Sequence, residues 1–580
     1  MGFRNNSSVF QFKSGIFVAR WGCSSRIAAL VQAAAALEPA HVVRVQLPVL
    51  CCRFLTRFIP NEGIRLQICA PSKYIEQTHR SMSIPSPLIF AIPLAAALFA
   101  LFLPFLNSEF ILDDGHKIVE NHDIRDPALL PWSLFPHYSQ GERDLSLQFR
   151  LNRNDPSRPL TFLMFTLEYW IAGGARPWMF RFVNVVLHGT NGVMLYSLMK
   201  LLRVRLGIHV QGVSDLNVEH TAAILLWVFS PLNLSTVNYI YSRSEILGFT
   251  LELCCLHLLL RHRKRNLGAG FAMLLALCAK QSYLCIVPCV FVLFILFPSL
   301  CSEAVTGLQM HPASRKLSAL VAFSALKQSL PCIVPAVLYM VYRFIYLGGL
   351  GDLEADPSNK PVPLTHYLRT QPFAIYSYIL ITCSGGMAVD HGVLVDDPVL
   401  IFFPCLIIVS LFMISCIFFY RPPFAFHAVL FGWAIALAHL APTSLLVTTD
   451  VMADRRFYVS SFPLLLLICS FVRALYSNQS KRISEQTNSL RDVRSTSILF
   501  VGAFGVILIV CASVAYHHLD AYKTNISAWR SVLKLYPVSV RARNNLATSL
   551  IKQCRLCPPG VEFALQSVRE PSFDEFQLWH

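Results

Sequence analysis

Two adjacent carboxylates are the residues of this chain best placed to do chemistry. Asp113 and Asp114 lie in residues 110–116, directly after the apolar run 85–106. Ionised side chains beside hydrocarbon are costly, so a carboxylate at the end of a membrane span usually serves a function. Held at the membrane edge, it can act as a base toward a hydroxyl group or bind a cation. The alternative is that both side chains are solvated and simply end the preceding helix.

The composition indicates the elements that position this pair. The chain has 580 residues, of which 54% are hydrophobic and 14% charged, whereas soluble domains carry about 25% charged residues. A membrane span needs about 20 apolar residues. We therefore predict an all-α polytopic membrane protein with about 11 transmembrane helices. The predicted spans are 84–106, 177–202, 220–241, 244–260, 267–281, 283–299, 318–345, 399–420, 424–446, 457–474 and 495–516.

The positions of the positive charges indicate how the predicted spans are oriented in the membrane. The net charge is +16, which by itself would suggest a nucleic-acid partner, but the basic clusters flank apolar runs. That arrangement follows the positive-inside rule and argues against nucleic-acid binding. With a cytosolic N-terminus, four basic clusters fall on the cytosolic side, at 200–205, 261–265, 315–316 and 473–494. Three loops then lie on the lumenal side, together with the C-terminal tail, at 107–176, 346–398, 447–456 and 517–580.

Four domains are expected. Residues 1–80 form a poorly structured extension, 84–516 the membrane domain, 517–557 a short helical segment and 558–580 an irregular tail. Within 517–557, one short helix reaches a break at Pro537 and a second follows, an alternation typical of tetratricopeptide repeats with a period of about 34 residues. A single repeat cannot bury its own core. The segment therefore looks like a fragment of a longer array.

The cysteines do not suggest a metal site. Most of the 18 cysteines lie inside apolar runs, where they act as small buried hydrophobic residues. Cys554 and Cys557 form the one Cys-x-x-Cys motif and lack a second pair of ligands. A local disulfide in an oxidising lumen is favoured there over zinc, and we predict no metal.

Three lumenal arginines are candidate phosphate ligands. Arg158 lies in the first lumenal loop, and Arg455 and Arg456 directly precede an apolar span. Guanidinium groups bind phosphate through two parallel hydrogen bonds, and a lipid phosphate would lie at this level of the membrane. The alternative is that these side chains only anchor span ends at the interface.

The remaining polar candidates have weaker signals. His188 lies within an apolar span and is expected to hydrogen-bond between helices. Arg243 and Glu245 are expected to form a structural pair, and His391 is expected to be solvated, with a role at the site as the alternative. Asn525 begins a lumenal Asn-Ile-Ser sequon and is predicted to carry a glycan.

Several short motifs occur in a recognisable order and together resemble the transmembrane and tetratricopeptide repeat-containing (TMTC-like) O-mannosyltransferases. The resemblance covers about residues 95–555 and includes the repeat-like tail. Its motifs are Phe-Ile-Leu-Asp-Asp-Gly-His at 110–116, Ser-Arg-Pro-Leu-Thr at 157–161, Asn-Val-Val-Leu-His at 184–188, Val-Asn-Tyr-Ile-Tyr-Ser-Arg-Ser-Glu at 237–245, Ala-Lys at 279–280 and Ala-Asp-Arg-Arg-Phe-Tyr at 453–458.

The resemblance implies a GT-C-type glycosyltransferase fold in the endoplasmic reticulum membrane, with a lumenal repeat segment that presents the acceptor. It implies transfer of mannose from dolichyl-phosphate mannose to serine or threonine of lumenal proteins with cadherin-type domains. No cofactor is implied besides this lipid-linked donor. Matching the family motif makes Asp113 the expected base, with Asp114 as the alternative.

The chain departs from the family pattern at several titratable positions. Arg181 stands where the family commonly has His. Ser230, Asn233 and Ser235 replace a His-His-Glu set. These departures favour a second hypothesis, a catalytically impaired membrane scaffold or chaperone. A transporter is disfavoured because the polar groups concentrate on one membrane face rather than at the midplane.

Overall fold

The fold is described from a computed structural model of the full chain. The structure describes residues 17–20, 43–46 and 87–553, the last with gaps at 127, 129–152, 207–217, 262–265, 301–314, 348–362, 385–390, 392–394, 396, 421–422, 448–449, 488–489 and 538. The chain divides into two compact units, Met1–Ser86 and Pro87–His580. In the first unit, strands β1 (Phe17–Arg20) and β2 (Val43–Gln46) pair in parallel.

Every described element of the second unit is helical, as predicted. The helices are α1 (Pro87–Phe102), α2 (Pro159–Ile171), α3 (Pro177–Arg205), α4 (Val218–Phe229), α5 (Pro231–Asn238), α6 (Arg243–Arg261), α7 (Leu267–Ala279), α8 (Ile286–Leu296), α9 (Arg315–Tyr342), α10 (Leu364–Ser384), α11 (Pro398–Phe418), α12 (Pro423–Leu445), α13 (Ser461–Thr487), α14 (Leu490–Ala521), α15 (Asn525–Leu535) and α16 (Val540–Gln553). Short turns of 3-10 helix at Ile240–Ser242 and Asp454–Phe457 lie between the longer helices.

The apolar helices make this a multi-pass membrane protein. Within the described residues, four helices are long and apolar enough to cross a bilayer: Ala319–Ile345, Pro398–Phe418, Ala425–Leu445 and Gly502–Ala521. The α4–α5 pair, bent by 45°, adds a fifth if it forms one span. Described helices overlap all of the predicted spans, but several are shorter or carry more charge, so the total of about 11 stays a prediction.

The large apolar core joins the helices that carry the candidate motifs. Helices α3, α4 and α6 contribute to it, and Trp227 is fully buried at its centre. Gly248 of α6 is required by close packing, because a Cβ atom there would lie 2.0 Å from Cε2 of Tyr283. Polar groups inside this core are paired: Trp227 Nε1 donates to the backbone oxygen of Tyr458 at 2.9 Å. The segment just after the third predicted lumenal loop is thereby fixed against α4.

The C-terminal helices α15 and α16 flank the break at Pro537, as the sequence alternation predicted. Trp529, Val532 and Ala542 form a small apolar core between them. Thr524 and Ser527 form a capping box that starts α15. The assignment of this helix pair to a tetratricopeptide repeat stays a prediction, and Cys554 and Cys557 lie outside the described residues.

Candidate active site

The acidic loop that follows α1 has an unusual backbone. Leu112 adopts a positive φ of 53°, a left-handed conformation that non-glycine residues rarely adopt. The next residue, Asp113, is half-buried, and its Oδ2 atom accepts a hydrogen bond from the hydroxyl of Tyr239 at 2.6 Å. Asp113 is thus partly exposed, and one of its carboxylate oxygens is held in place.

Asp114 has a different role from its neighbour. It is fully buried, and its two oxygens accept hydrogen bonds from backbone nitrogens, Oδ1 from Tyr241 at 2.8 Å and Oδ2 from Ile111 at 3.3 Å. Burial raises the pKa of Asp114 to about 7, against the opposing effects of Arg181 and these two hydrogen bonds. Asp114 therefore shapes the loop, and Asp113 is the more exposed of the two residues.

Arg181 of α3 holds the start of the acidic loop. It is fully buried, and its guanidinium group donates to four backbone oxygens. Three belong to the chain entering the loop, at Leu106, Ser108 and Glu109, and the fourth belongs to Asn238. The residue that departs from the family pattern is thus built into the support of the site.

The turn after α5 connects the acidic loop to two of the predicted phosphate ligands. The Arg455 guanidinium lies 5.6 Å from the ring centroid of Tyr239, whose hydroxyl binds Asp113. The Arg158 guanidinium lies 5.2 Å from the ring centroid of Tyr241, whose backbone nitrogen binds Asp114. Sequence reasoning did not single out these tyrosines. Their signal was a pair of tyrosines two positions apart within the 237–245 motif.

Both arginines also have carboxylate partners. Arg158 lies 3.3 Å from Asp155 Oδ2, and Arg455 donates to Asp450 Oδ2 at 2.9 Å. Burial alone would raise the pKa of Asp155, but the nearby Arg158 holds it below its ordinary value. For Asp450, burial likewise opposes ionisation, yet Arg455 and Arg541 hold its pKa well below the usual range. These carboxylates orient the guanidinium groups, and both remain ionised at neutral pH.

A cleft near these groups is lined by Arg456, a predicted phosphate ligand, and by Glu245, which was predicted to have a structural role. Arg456 Nη1 donates to the backbone oxygen of Val451 at 3.2 Å. Lys280 forms an ion pair with Glu245, and sequence reasoning did not propose Lys280 as a site residue. The cleft is lined by Glu245, Lys280, Ser282, Tyr283, His439, Thr443, Arg456 and Val459.

The expected pair between Arg243 and Glu245 is wrong. Arg243 is fully buried and pairs with Glu168 of α2, with Nη2 3.1 Å from Oε2, and it also donates to the backbone oxygen of Phe180 at 2.7 Å. Two residues apart in the first turn of α6, these side chains point to opposite sides of the helix, and Glu245 pairs with Lys280. The structural role expected of Arg243 holds, with another partner.

The two predicted histidines are both buried. His188 hydrogen-bonds between helices as expected, with Nδ1 2.7 Å from the Tyr458 hydroxyl and Nε2 3.0 Å from the Val228 oxygen. The expectation that His391 is solvated is wrong. Its Nε2 lies 2.6 Å from Asp454 Oδ1, and its Nδ1 lies 2.8 Å from the Tyr536 hydroxyl. His391 therefore joins the second predicted lumenal loop to the third and to α15.

Asn525, the predicted glycan acceptor, lies against the acidic loop. Its Nδ2 atom, which would carry the glycan, donates to the backbone oxygen of Phe110 at 2.8 Å. Its Oδ1 atom accepts from the backbone nitrogen of Leu112 at 3.2 Å.

In the part of the chain that the structure describes, no group of three histidine, cysteine or acidic residues could hold a metal ion.

Comparison with known proteins identifies relatives of one kind. No family model matches the chain. Protein O-mannosyl-transferase TMTC4 of Mus musculus is 29% identical over 145 residues, 24% of this chain and 19% of the relative. Homo sapiens TMTC2 is 33% identical over 103 residues (18% and 12%), and Mus musculus TMTC1 is 28% identical over 204 residues (34% and 18%). The matched segments thus span less than a fifth of each relative. At the level of the family, this chain is similar to the TMTC O-mannosyltransferases, which confirms the resemblance inferred from its motifs.

Proposed function

We propose that this protein is a multi-pass O-mannosyltransferase of the endoplasmic reticulum membrane. The donor is dolichyl-phosphate mannose, and the acceptors are serine or threonine hydroxyls of lumenal proteins with cadherin-type domains. The observation that carries the proposal is the arrangement around Tyr239. Its hydroxyl fixes Asp113 while its ring lies beside Arg455, so a base and a phosphate ligand share one site.

The proposed reaction assigns each group one task. Asp113 accepts the proton of the acceptor hydroxyl while the oxygen of that hydroxyl forms a bond to the anomeric carbon of mannose. The bond between that carbon and the phosphate oxygen breaks, and dolichyl phosphate leaves with the bonding electrons. Arg455, Arg456 and Arg158 compensate the negative charge of the departing phosphate.

The finer architecture is part of the same proposal. A GT-C-type membrane domain with about 11 spans occupies residues 84–516, and a lumenal tetratricopeptide-type segment occupies 517–557. The lipid donor presents its sugar at the lumenal membrane surface, where the proposed topology places the acidic loop. No cofactor or metal takes part in the proposed step.

The test is transfer of labelled mannose from dolichyl-phosphate mannose to a cadherin-domain acceptor, in cells without other such enzymes. Asp113→Asn keeps the side-chain size and removes the base, so transfer should fall by about 10²–10⁴ at unchanged expression. Asp397→Asn is the matched control, because Asp397 is an exposed helix cap on Val399 and asparagine also caps helices. Normal transfer by Asp113→Asn would refute the proposed base.

One observation favours a scaffold without transferase activity. Asn233 stands at a position where the family commonly has His. It is fully buried and donates to the backbone oxygen of Trp227 at 2.7 Å, which is a structural role. If the wild-type protein inserts and folds normally but transfers no mannose, the scaffold function replaces the transferase.

A further inference from the structure

A set of hydrogen bonds joins the acidic loop to the start of α15. The backbone nitrogen of Glu109 donates to the oxygen of Lys523 at 2.8 Å, and the backbone nitrogen of Asn525 donates to Glu109 Oε2 at 3.1 Å. The Asn525 carboxamide then bonds two further residues: its nitrogen donates to the backbone oxygen of Phe110, and its oxygen accepts from the backbone nitrogen of Leu112. Chain segments more than 400 residues apart are thus held side by side.

The two bonds of the carboxamide determine its orientation. Only the amide nitrogen can donate to the Phe110 oxygen, and only the amide oxygen can accept from the Leu112 nitrogen. The oxygen therefore holds the one described non-glycine residue with a positive φ. A left-handed residue with a Cβ atom is strained and persists when its surroundings hold it in place.

Apolar contacts reinforce the same junction. The side chain of Leu112 packs against the small core of Trp529, Val532 and Ala542. Its backbone is held by Asn525 and its side chain by the next turns of α15 and by α16. Because Asp113 follows Leu112 directly, the direction of the Asp113 side chain depends on this junction.

We propose that Asn525 is a positioning residue that holds the acidic loop so that Asp113 faces the site. Its carboxamide is used for hydrogen bonds within the fold and does not carry a glycan. A sugar on Nδ2 would compete with the hydrogen bond to the Phe110 oxygen. The glycan expected from the sequence is therefore replaced by a structural role. The effect on catalysis rests on the proposed function, whereas the junction itself does not.

Four variants separate the carboxamide from the sequon. Asn525→Ala removes both carboxamide bonds, and Asn525→Asp keeps an acceptor for the Leu112 nitrogen. Ser527→Ala destroys the sequon and keeps the carboxamide, and Ser527→Thr keeps both. Each full-length protein is assayed for an endoglycosidase-dependent mobility shift, for hydrogen–deuterium exchange of the amides at 109–114, and for kcat and KM.

We expect no glycan on Asn525 in the wild type. Exchange at the Leu112 amide should be about tenfold faster in Asn525→Ala, less accelerated in Asn525→Asp, and unchanged in Ser527→Thr. Ser527→Ala also removes the Ser527 hydroxyl from the capping box of α15, so its exchange should rise, but less than in Asn525→Ala. In Asn525→Ala, kcat should fall about tenfold with the KM for the lipid donor unchanged, because the base is displaced and the donor site is intact.

Three results would overturn the proposal. These are a glycan on Asn525 of the folded wild type, unchanged Leu112 exchange in Asn525→Ala, or an equal loss of kcat in Ser527→Ala and Asn525→Ala. The exchange experiment also separates the two proposals. If the wild type transfers no mannose but Asn525→Ala still exchanges its Leu112 amide faster than the wild type, the junction is supported and the transferase is refuted.

Discussion

Tyr239→Phe removes a single hydroxyl group and leaves the aromatic ring beside Arg455. The hydroxyl donates to Asp113 Oδ2 at 2.6 Å, a short hydrogen bond to a carboxylate. The ring centroid lies 5.6 Å from the Arg455 guanidinium, and phenylalanine retains that cation–π contact. The substitution therefore tests whether the carboxylate must be held in place for transfer.

The size of the effect follows from the type of bond. Hydrogen bonds to charged groups contribute about 1.5–3 kcal/mol, and about 1.4 kcal/mol corresponds to a tenfold change in rate. Tyr239→Phe should lower kcat/KM for the acceptor by about 10- to 150-fold. Loss of the base itself in Asp113→Asn should cost about 10²–10⁴.

The assay is a double-mutant cycle with labelled mannose transfer as the readout. If Tyr239 acts only through Asp113, the double variant should transfer no more slowly than Asp113→Asn alone. Tyr241→Phe is the matched control, because it keeps the ring beside Arg158, and the bond from Tyr241 to Asp114 comes from its backbone nitrogen. Tyr241→Phe should stay near the wild-type rate.

Two results would refute the reasoning. Wild-type kcat/KM in Tyr239→Phe would show that the hydrogen bond has no part in transfer. Full additivity of the two substitutions would show that Tyr239 acts independently of Asp113, for example through Arg455.

Three further predictions concern charge. Arg455→Ala and Arg456→Ala should each lower kcat/KM for the lipid donor about ten- to a hundredfold through loss of phosphate contacts, and an unchanged donor dependence would exclude that role. Arg243→Met should leave Glu168 buried without its partner and cost about 3–5 kcal/mol of stability, measured by thermal unfolding in detergent, whereas an unchanged midpoint would contradict this. Because the pKa of Asp114 is raised from 3.8 to about 7, its contribution to stability is fully present below pH 3.8 and lost as pH rises through about 7. Asp114→Asn should flatten that dependence in denaturation measured from pH 5 to pH 8, and an identical slope in the variant would argue against it.

The sequence predicted the helices better than their contacts. Apolar runs located helices such as Pro177–Arg205, and the position of Asp113 after an apolar run marked it as a candidate. The partner of Arg243 was missed because Glu168 lies 75 residues earlier, and periodicity within a helix does not say which neighbour a side chain meets.

Burial of loop residues was equally hard to foresee. A histidine in a polar loop is normally solvated, and His391 is buried only because Asp454 and Tyr536 arrive from distant parts of the chain. Asn525 is a second case: its sequon predicts exposure, and only the folded chain places Phe110 against its partly buried side chain. Local patterns carry no information on such tertiary contacts.

The four backbone oxygens bound by Arg181 make this position intolerant of side chains with fewer donors. A guanidinium group offers five N–H donors, whereas an imidazole ring offers at most two. Histidine at this position alone would leave buried carbonyl groups without donors, which is costly. Arg181 and the path of the loop therefore depend on each other. Substitutions of Arg181 and changes to the loop backbone that it binds should therefore be tested as coupled sets rather than one residue at a time.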